Sequence, residues 1–133
     1  MIVGMTGTRS GVSAEQVLAM VEMLDGASAL HHGDCVGADA AAHRTASTMH
    51  VHVVVHPPSI ITHRAFCRGS DVVVLEPRPY LVRNKEIVRS SEIVWAFPSG
   101  PEELRSGTWS TVRFARKTGV PVVVVYPDGS RGA

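Results

Sequence analysis

Aromatic residues are scarce in this chain: two tryptophans, two tyrosines and three phenylalanines make up 5% of 133 residues. The formal net charge is only +1. A chain with so few rings and so little net charge has neither the stacking platforms nor the positive field of a nucleic-acid binder, so nucleic acid is not expected as a partner. Cysteine is limited to Cys35 and Cys67, which have no metal-ligand spacing and form no disulfide framework; they read as reduced structural thiols, and no metal site is expected. No apolar run approaches a membrane span. Met1-Ile2-Val3-Gly4 reads as a first strand and not as a secretory leader, which leads us to expect a cytoplasmic protein. Lysine is nearly absent as well: of 13 basic residues only Lys85 and Lys117 are lysines, and arginine is the cation suited to bidentate phosphate contacts.

What the chain does have is alternation. Hydrophobic residues make up 44%, enough for one sizeable core, and the whole of 1–133 reads as a single nucleotide-binding domain with a polar tail at 127–133. Ile2–Met5 reads as a strand. Ser13 then has the character of an N-cap, with Gln16 as its capping-box partner, and Val17, Leu18, Val21 and Leu24 supply an apolar helical face. Ala29–His32 and His52–Val55 read as strands flanking a small-residue helix at Asp39–Ser47. Asp71–Glu76 reads as a short strand or an extended connection within an indistinct stretch, 59–79. Tyr80–Ser90 reads as a helix, Glu92–Phe97 as a buried strand, Gly107–Thr118 as a helix stopped by Gly119, and Val120–Tyr126 as a final strand. This order predicts an α/β, Rossmann-like, doubly wound and mostly parallel sheet of about five strands with helices on both faces.

In such sheets ligands bind beyond the carboxyl ends of the strands. The special residues fall there. Gly7-Thr8-Arg9 follows the first strand. Gly33-Asp34-Cys35-Val36-Gly37-Ala38-Asp39 follows the second. Pro98-Ser99-Gly100-Pro101-Glu102-Glu103-Leu104-Arg105-Ser106-Gly107-Thr108 follows the strongest. The last stretch carries the most information. A strand, a Gly-containing loop with hydroxyls and a helix start, in that order, build an anion site from free backbone N–H groups and the positive end of a helix dipole. Pro98, Gly100, Ser106, Gly107 and Thr108 are the candidate phosphate-binding residues.

These loops together resemble the SLOG superfamily, the Rossmann-like group that includes the cytokinin-activating LOG enzymes ("lysine decarboxylase-like" proteins) and the core of DNA-processing protein A. The resemblance covers nearly the whole chain. It rests on Gly7-Thr8-Arg9, on Gly33 to Asp39, on the pair Arg83-Asn84 and on Ser106-Gly107-Thr108. It implies a nucleotide or nucleotide-derived ligand, with no further cofactor required, and a homodimer. Enzymatic relatives of the LOG type hydrolyse the N-glycosidic bond of a nucleoside monophosphate with an arginine, which Arg83 matches, and a glutamate of a Pro-Gly-Gly-x-Gly-Thr-x-x-Glu loop. That glutamate position falls on Thr111, and Pro101–Arg105 lengthen the loop. The reading is therefore a nucleotide-binding sensor, carrier or sponge. The alternative is a LOG-like N-glycosidase acting through Arg83 and a loop carboxylate, Glu102 or Glu103.

Around the phosphate loop the candidate ligand contacts are Gly7, Thr8, Arg9, Gly33, Asp34, Gly37, Ala38, Asp39, Arg83 and Asn84. Arg83 is read as a phosphate partner, Asn84 as a contact to ribose or a base edge, and Asp39 as either a ribose contact or a stabiliser of its own helix. Tyr80 and Trp109 are the candidate stacking rings, while Trp95 reads as core. All seven histidines lie between His31 and His63; His32 and His56, at strand ends, are candidate cleft residues.

Overall fold

The computed structural model describes residues 1–133. The elements run β1 (Ile2–Gly7), α1 (Ala14–Leu24), β2 (Ala29–His32), α2 (Ala38–Thr48), β3 (His52–Val55), β4 (Val72–Val74), α3 (Tyr80–Ser90), β5 (Ile93–Phe97), α4 (Gly107–Thr118), β6 (Val122–Val125) and β7 (Arg131–Gly132). They form one sheet in the order β4-β3-β2-β1-β5-β6-β7, parallel except for β7. The expected Rossmann-like α/β fold is observed, but the sheet has seven strands and not about five. Beyond those five, β4 has three residues and lies within Asp71–Glu76, the stretch read as a short strand or an extended connection, and β7 has two, too few for a side-chain period to show in sequence. One of them, β7, is the segment read as a polar tail, which turns back and pairs with Val124 and Val125. No helix is long and apolar enough to cross a membrane.

The two faces of the sheet are built from the period of two in its central strands. On β5, Trp95 and Phe97 point into a core shared with α1 and α2, while Val94 and Ala96 point into a second core with Val88 of α3 and Trp109, Val112 and Ala115 of α4. On β1, Val3 and Met5 join the first core. Gly4 faces the opposite side, where a Cβ would lie 2.1 Å from Ser91 Oγ and 3.2 Å from Ile87 Cγ2. Glycine at this position lets α3 lie directly on β1.

Helix α1 starts as its sequence predicts. Ser13 Oγ accepts the Gln16 amide, and the Gln16 side chain accepts the Ser13 amide. Its buried face differs from the expected one: Gln16, Ala19, Met20, Met23 and Leu24 are buried, whereas Val17, Leu18 and Val21 are exposed, Leu18 by 70%. The helix is rotated because Gln16 is needed inside. Its Nε2 donates to Pro98 O and to Val125 O, both at 2.9 Å, and so ties the ends of β5 and β6 to the first turn of α1. A glutamine that serves as both cap and buried tie looks polar in a hydrophobicity pattern and is passed over.

Candidate functional site

The chain winds outward from β1 to β4, then crosses to the other side of β1 to begin β5. The loops after β1 and β5 therefore diverge, and the crevice they leave is the topological switch point of the sheet. A cleft of about 470 Å³ opens there, within the size range of small-molecule sites.

Thr8 anchors the near wall. Its amide donates to Phe97 O at 3.0 Å and its carbonyl accepts the Ala38 amide at 2.9 Å, which joins β1, β5 and α2 at one point. Gly37 makes the join possible: its φ is +89°, and a Cβ there would lie 2.4 Å from Thr8 O. At the far end of the cleft, Ser106 caps α4 by accepting the Trp109 amide. The Gly107 and Thr108 amides, first in the helix, have no intrahelical acceptor. Nothing lies within 4 Å of where a Gly107 Cβ would be, so the helix start is open to the cleft.

Arg83 comes up from α3 and is only 5% exposed. Its Nη1 donates to Gly33 O and, at 3.1 Å, to His56 O; its Nε donates to Asn84 Oδ1 at 2.8 Å. The guanidinium carbon lies 5.2 Å from the centre of the Tyr80 ring, and that of Arg9 lies 4.9 Å from the same ring. Asp39, in the first turn of α2, accepts the Cys35 amide on Oδ2 at 3.1 Å. Burial raises its carboxyl to about 6 against the lowering pull of Arg83. Cys35, also on the cleft, is raised by burial and by Asp39.

Of the residues expected from sequence, Gly7, Thr8, Arg9, Gly33, Asp39, Arg83, Asn84, Pro98, Ser106, Gly107, Thr108 and Glu103 line the cleft. Five do not. Gly37 and Ala38 shape it from behind. Gly100 and Glu102 line a separate shallow depression, and Glu102 is held by Arg113 at 3.1 Å and Arg116 at 3.4 Å. Asp34 is fully buried at φ +59°, where its carboxylate accepts Arg64 Nε and the Cys67 amide, both at 2.7 Å. This fixes the 64–67 segment against the loop after β2, so Asp34 acts as a fastening and does not line the cleft. Trp109 borders the cleft but is 2% exposed and packs in the second core, with its ring 6.2 Å from Tyr126. Tyr80 remains the accessible ring. Arg105 on the β5–α4 loop also faces the cleft; it lay within a segment read only as an insertion.

His32 and His56 are buried behind the cleft and do not line it. His32 Nδ1 accepts the Asp34 amide at 2.9 Å, so its proton is on Nε2 and goes to His43 Nδ1 at 3.0 Å; His43 Nε2 then donates to Arg68 O at 3.1 Å. His32, His43 and Cys67 bring potential ligand atoms within 4.8 Å of one another. The same hydrogen bonds, however, occupy the lone pair on His43 and place a proton on His32 where an ion would sit. Burial, aided by neighbouring charges, holds His32 well below the usual imidazole range and His56 at about 4, and burial with Asp34 pushes the Cys67 thiol up to about 12.

The chain shares its fold with solved structures. The molybdenum cofactor binding protein of the phototrophic bacterium Rippkaea orientalis matches 94% of this chain and 76% of its own, with a TM-score of 0.72 at 23% identity. The Moco carrier protein of Chlamydomonas reinhardtii matches 92% of this chain and 74% of its own, with a TM-score of 0.67 at 22% identity. TM1055, a structural-genomics target, matches 91% of this chain and 71% of its own, with a TM-score of 0.69 at 19% identity. No protein-family model and no curated protein matches the sequence. These neighbours share the Rossmann-like fold that the SLOG resemblance implies. They also correct one expectation: that no cofactor is required does not stand beside neighbours whose bound partner is itself a cofactor.

Proposed function

We propose that this chain binds a phosphorylated small molecule, a nucleotide or nucleotide-derived compound, as a carrier or sensor. The observation that carries the reading is the open start of α4 at the switch point. The Gly107 and Thr108 amides are without intrahelical acceptors there, and Arg9, Arg105 and the Thr8 backbone share the same cleft. Ser106, Gly107 and Thr108 hold the phosphate, with Gly7, Thr8, Arg9 and Pro98 around it. Gly33, Asp39, Arg83 and Asn84 form the deep end, and Tyr80 is the stacking ring. Carrier function is also what the name of the Chlamydomonas reinhardtii fold neighbour describes for that protein. Of the two loop carboxylates that the N-glycosidase alternative would use, Glu102 is tied into ion pairs with α4 outside the cleft, whereas Glu103 lines the cleft and is the one left to that alternative. The chain works as one domain and pairs as a cytoplasmic homodimer; exposed Val17, Leu18 and Val21 on α1 support a paired surface, and the free thiols of Cys35 and Cys67 suit a reducing compartment.

The test is a thermal-shift screen against AMP, cyclic nucleotides, NAD and ADP-ribose, with analysis of what is recovered. A stabilising compound recovered intact supports a carrier. Free base and sugar phosphate would replace it with an N-glycosidase. Gly107→Asp puts a carboxylate at the helix start, where the open space leaves the fold undisturbed, and should abolish the shift; an unchanged shift would overturn the phosphate assignment.

A further inference from the structure

A phosphate at α4 uses one of two helix starts that open on the cleft. The other belongs to α3, whose Tyr80, Leu81, Arg83 and Asn84 line the cleft. The first bond within that helix runs from the Arg83 amide to Pro79 O, so the Tyr80, Leu81 and Val82 amides before it have no intrahelical acceptor. The other helices finish their starts. α1 has a full capping box and Glu15 in its first turn, and Ser106 caps α4. α3 has Pro79 at its cap position, no side-chain cap and no acid in its first turn.

The side chains gathered at this start have the wrong sign for it. A helix start carries partial positive charge and is stabilised by anions. Here it meets two arginines. The Arg9 guanidinium, from the loop after β1, lies 4.9 Å from the centre of the Tyr80 ring, and that of Arg83 lies 5.2 Å from the same centre. Arg83 is 5% exposed, and its Nη2 meets no oxygen, only the Cys35 sulfur at 3.9 Å. Asp39 offsets part of the Arg83 charge, but it uses Oδ2 for the Cys35 amide and its Oδ1 is enclosed without a partner. Elsewhere Arg64, Arg78, Arg113, Arg116 and Arg131 are each paired with a carboxylate. None of those five lines the cleft; Arg9, Arg83 and Arg105 line it and have no such pair. Positive charge held in a crevice without a counterion is unfavourable until an anion arrives.

We infer that the start of α3, with Arg9 and Arg83 beside it, is a second anion subsite, and that the ligand carries two phosphate groups, one at α4 and one at α3. The inference rests on the phosphate reading of α4 above. It makes Arg9 the residue that tells a bisphosphorylated ligand from a monophosphorylated one.

The experiment is calorimetric titration, at constant ionic strength, of the wild-type chain, Arg9→Ala, Leu81→Glu and Leu81→Gln with AMP, ADP and adenosine 3′,5′-bisphosphate. Leu81 is 65% exposed in the first turn of α3, so either side chain is accommodated, and only the glutamate puts an anion at the bare start. In the wild type, ADP or the 3′,5′-bisphosphate should bind at least about tenfold tighter than AMP, the factor a hydrogen bond to a charged group supplies. A preference for ADP places the second phosphate next to the first, and one for the 3′,5′-bisphosphate places it across the sugar. Arg9→Ala and Leu81→Glu should cancel the advantage over AMP, whereas Leu81→Gln should keep it. Leu81→Glu should also raise the thermal midpoint of the unliganded chain above that of Leu81→Gln, because it supplies the missing anion. A wild type that binds AMP and both bisphosphates alike would overturn the α3 subsite and leave the α4 reading standing. So would a Leu81→Glu chain that keeps the advantage or gains no stability, or a Leu81→Gln chain that loses the advantage. If none of the three compounds binds the wild type, both the α4 reading and the α3 subsite are wrong.

Discussion

The two walls of the cleft are built in opposite ways. The deep wall is buried: Gly33, Cys35, Asp39 and Arg83 are all shielded from solvent, and almost every polar atom among them has a partner inside the protein. The outer wall is the β5–α4 loop, where Ser99 and the 101–105 stretch are exposed and Leu104 by 86%. Its hold on the rest is a set of solvent-facing contacts from Arg113 and Arg116 to Glu102 and to the carbonyls of Glu103 and Leu104. One wall has its geometry set before any ligand arrives, which lowers the entropy cost of recognition. The other can shift at little energetic cost. The buried wall keeps its shape through internal contacts, and the exposed one rests on contacts that compete with water.

That contrast can be tested by breaking each wall. The largest effect should come from Asp34→Ala, which leaves Arg64 Nε and the Cys67 amide without their buried acceptor and should cost about 3 kcal/mol or more in urea unfolding. Next is Gln16→Ala, which strips the capping box and two buried carbonyls, Pro98 O and Val125 O; a loss of about 2 kcal/mol in the same measurement is expected. A smaller effect should follow pH. Asp39, raised to about 6 by burial, takes up a proton in the folded state before the unfolded one, so wild type should gain about 1 kcal/mol relative to Asp39→Asn between pH 7.5 and pH 5. The buried histidines work the other way. His31, His32 and His56 are all held low, so their neutral forms support the fold fully above about pH 6.5, and that support falls away toward pH 4. Wild type should therefore lose stability on acidification overall, and Asp39→Asn should lose it faster. The smallest effect is Glu102→Ala: its ion pairs are exposed, and the change in stability should stay below about 1 kcal/mol. A large loss there would mean that the outer wall is as firmly built as the inner.

Local chemistry was legible in the sequence. β2, β3, α3 and α4 begin and end where their residues predict, because their boundaries are set by caps, Pro, Gly and β-branched runs within a few residues. Gly119 ends α4 in a left-handed turn, as expected. The switch-point placement of the loops was legible too, since it follows from strand order. Contacts between distant segments were not. Asp34 read as a loop residue near the ligand because its partners, Arg64 and Cys67, come from the indistinct stretch after β3. The true face of α1 was hidden because its key residue is a polar one tied to Pro98 and Val125. The orphaned oxygen of Asp39 and the His32–His43 pair follow from burial, which a residue's neighbours in sequence do not set.

The seam on which the cleft sits pairs Val3 with Ile93 and continues to Gly7 with Phe97. It joins β1 to β5, with three strands and three helices between them in sequence. As the polypeptide leaves the ribosome, β1 to β4 and their helices emerge first and can pack early, since domains are built from the N-terminal end. β1 must wait for its second neighbour until β5 has been made, and Gln16 must wait longer still for the carbonyl of Val125. Long-range closure of this kind is the slow part of folding. A nascent chain thus has the β2 side of the cleft, with Asp39 in place, before the Gly107 and Thr108 amides on its other side exist.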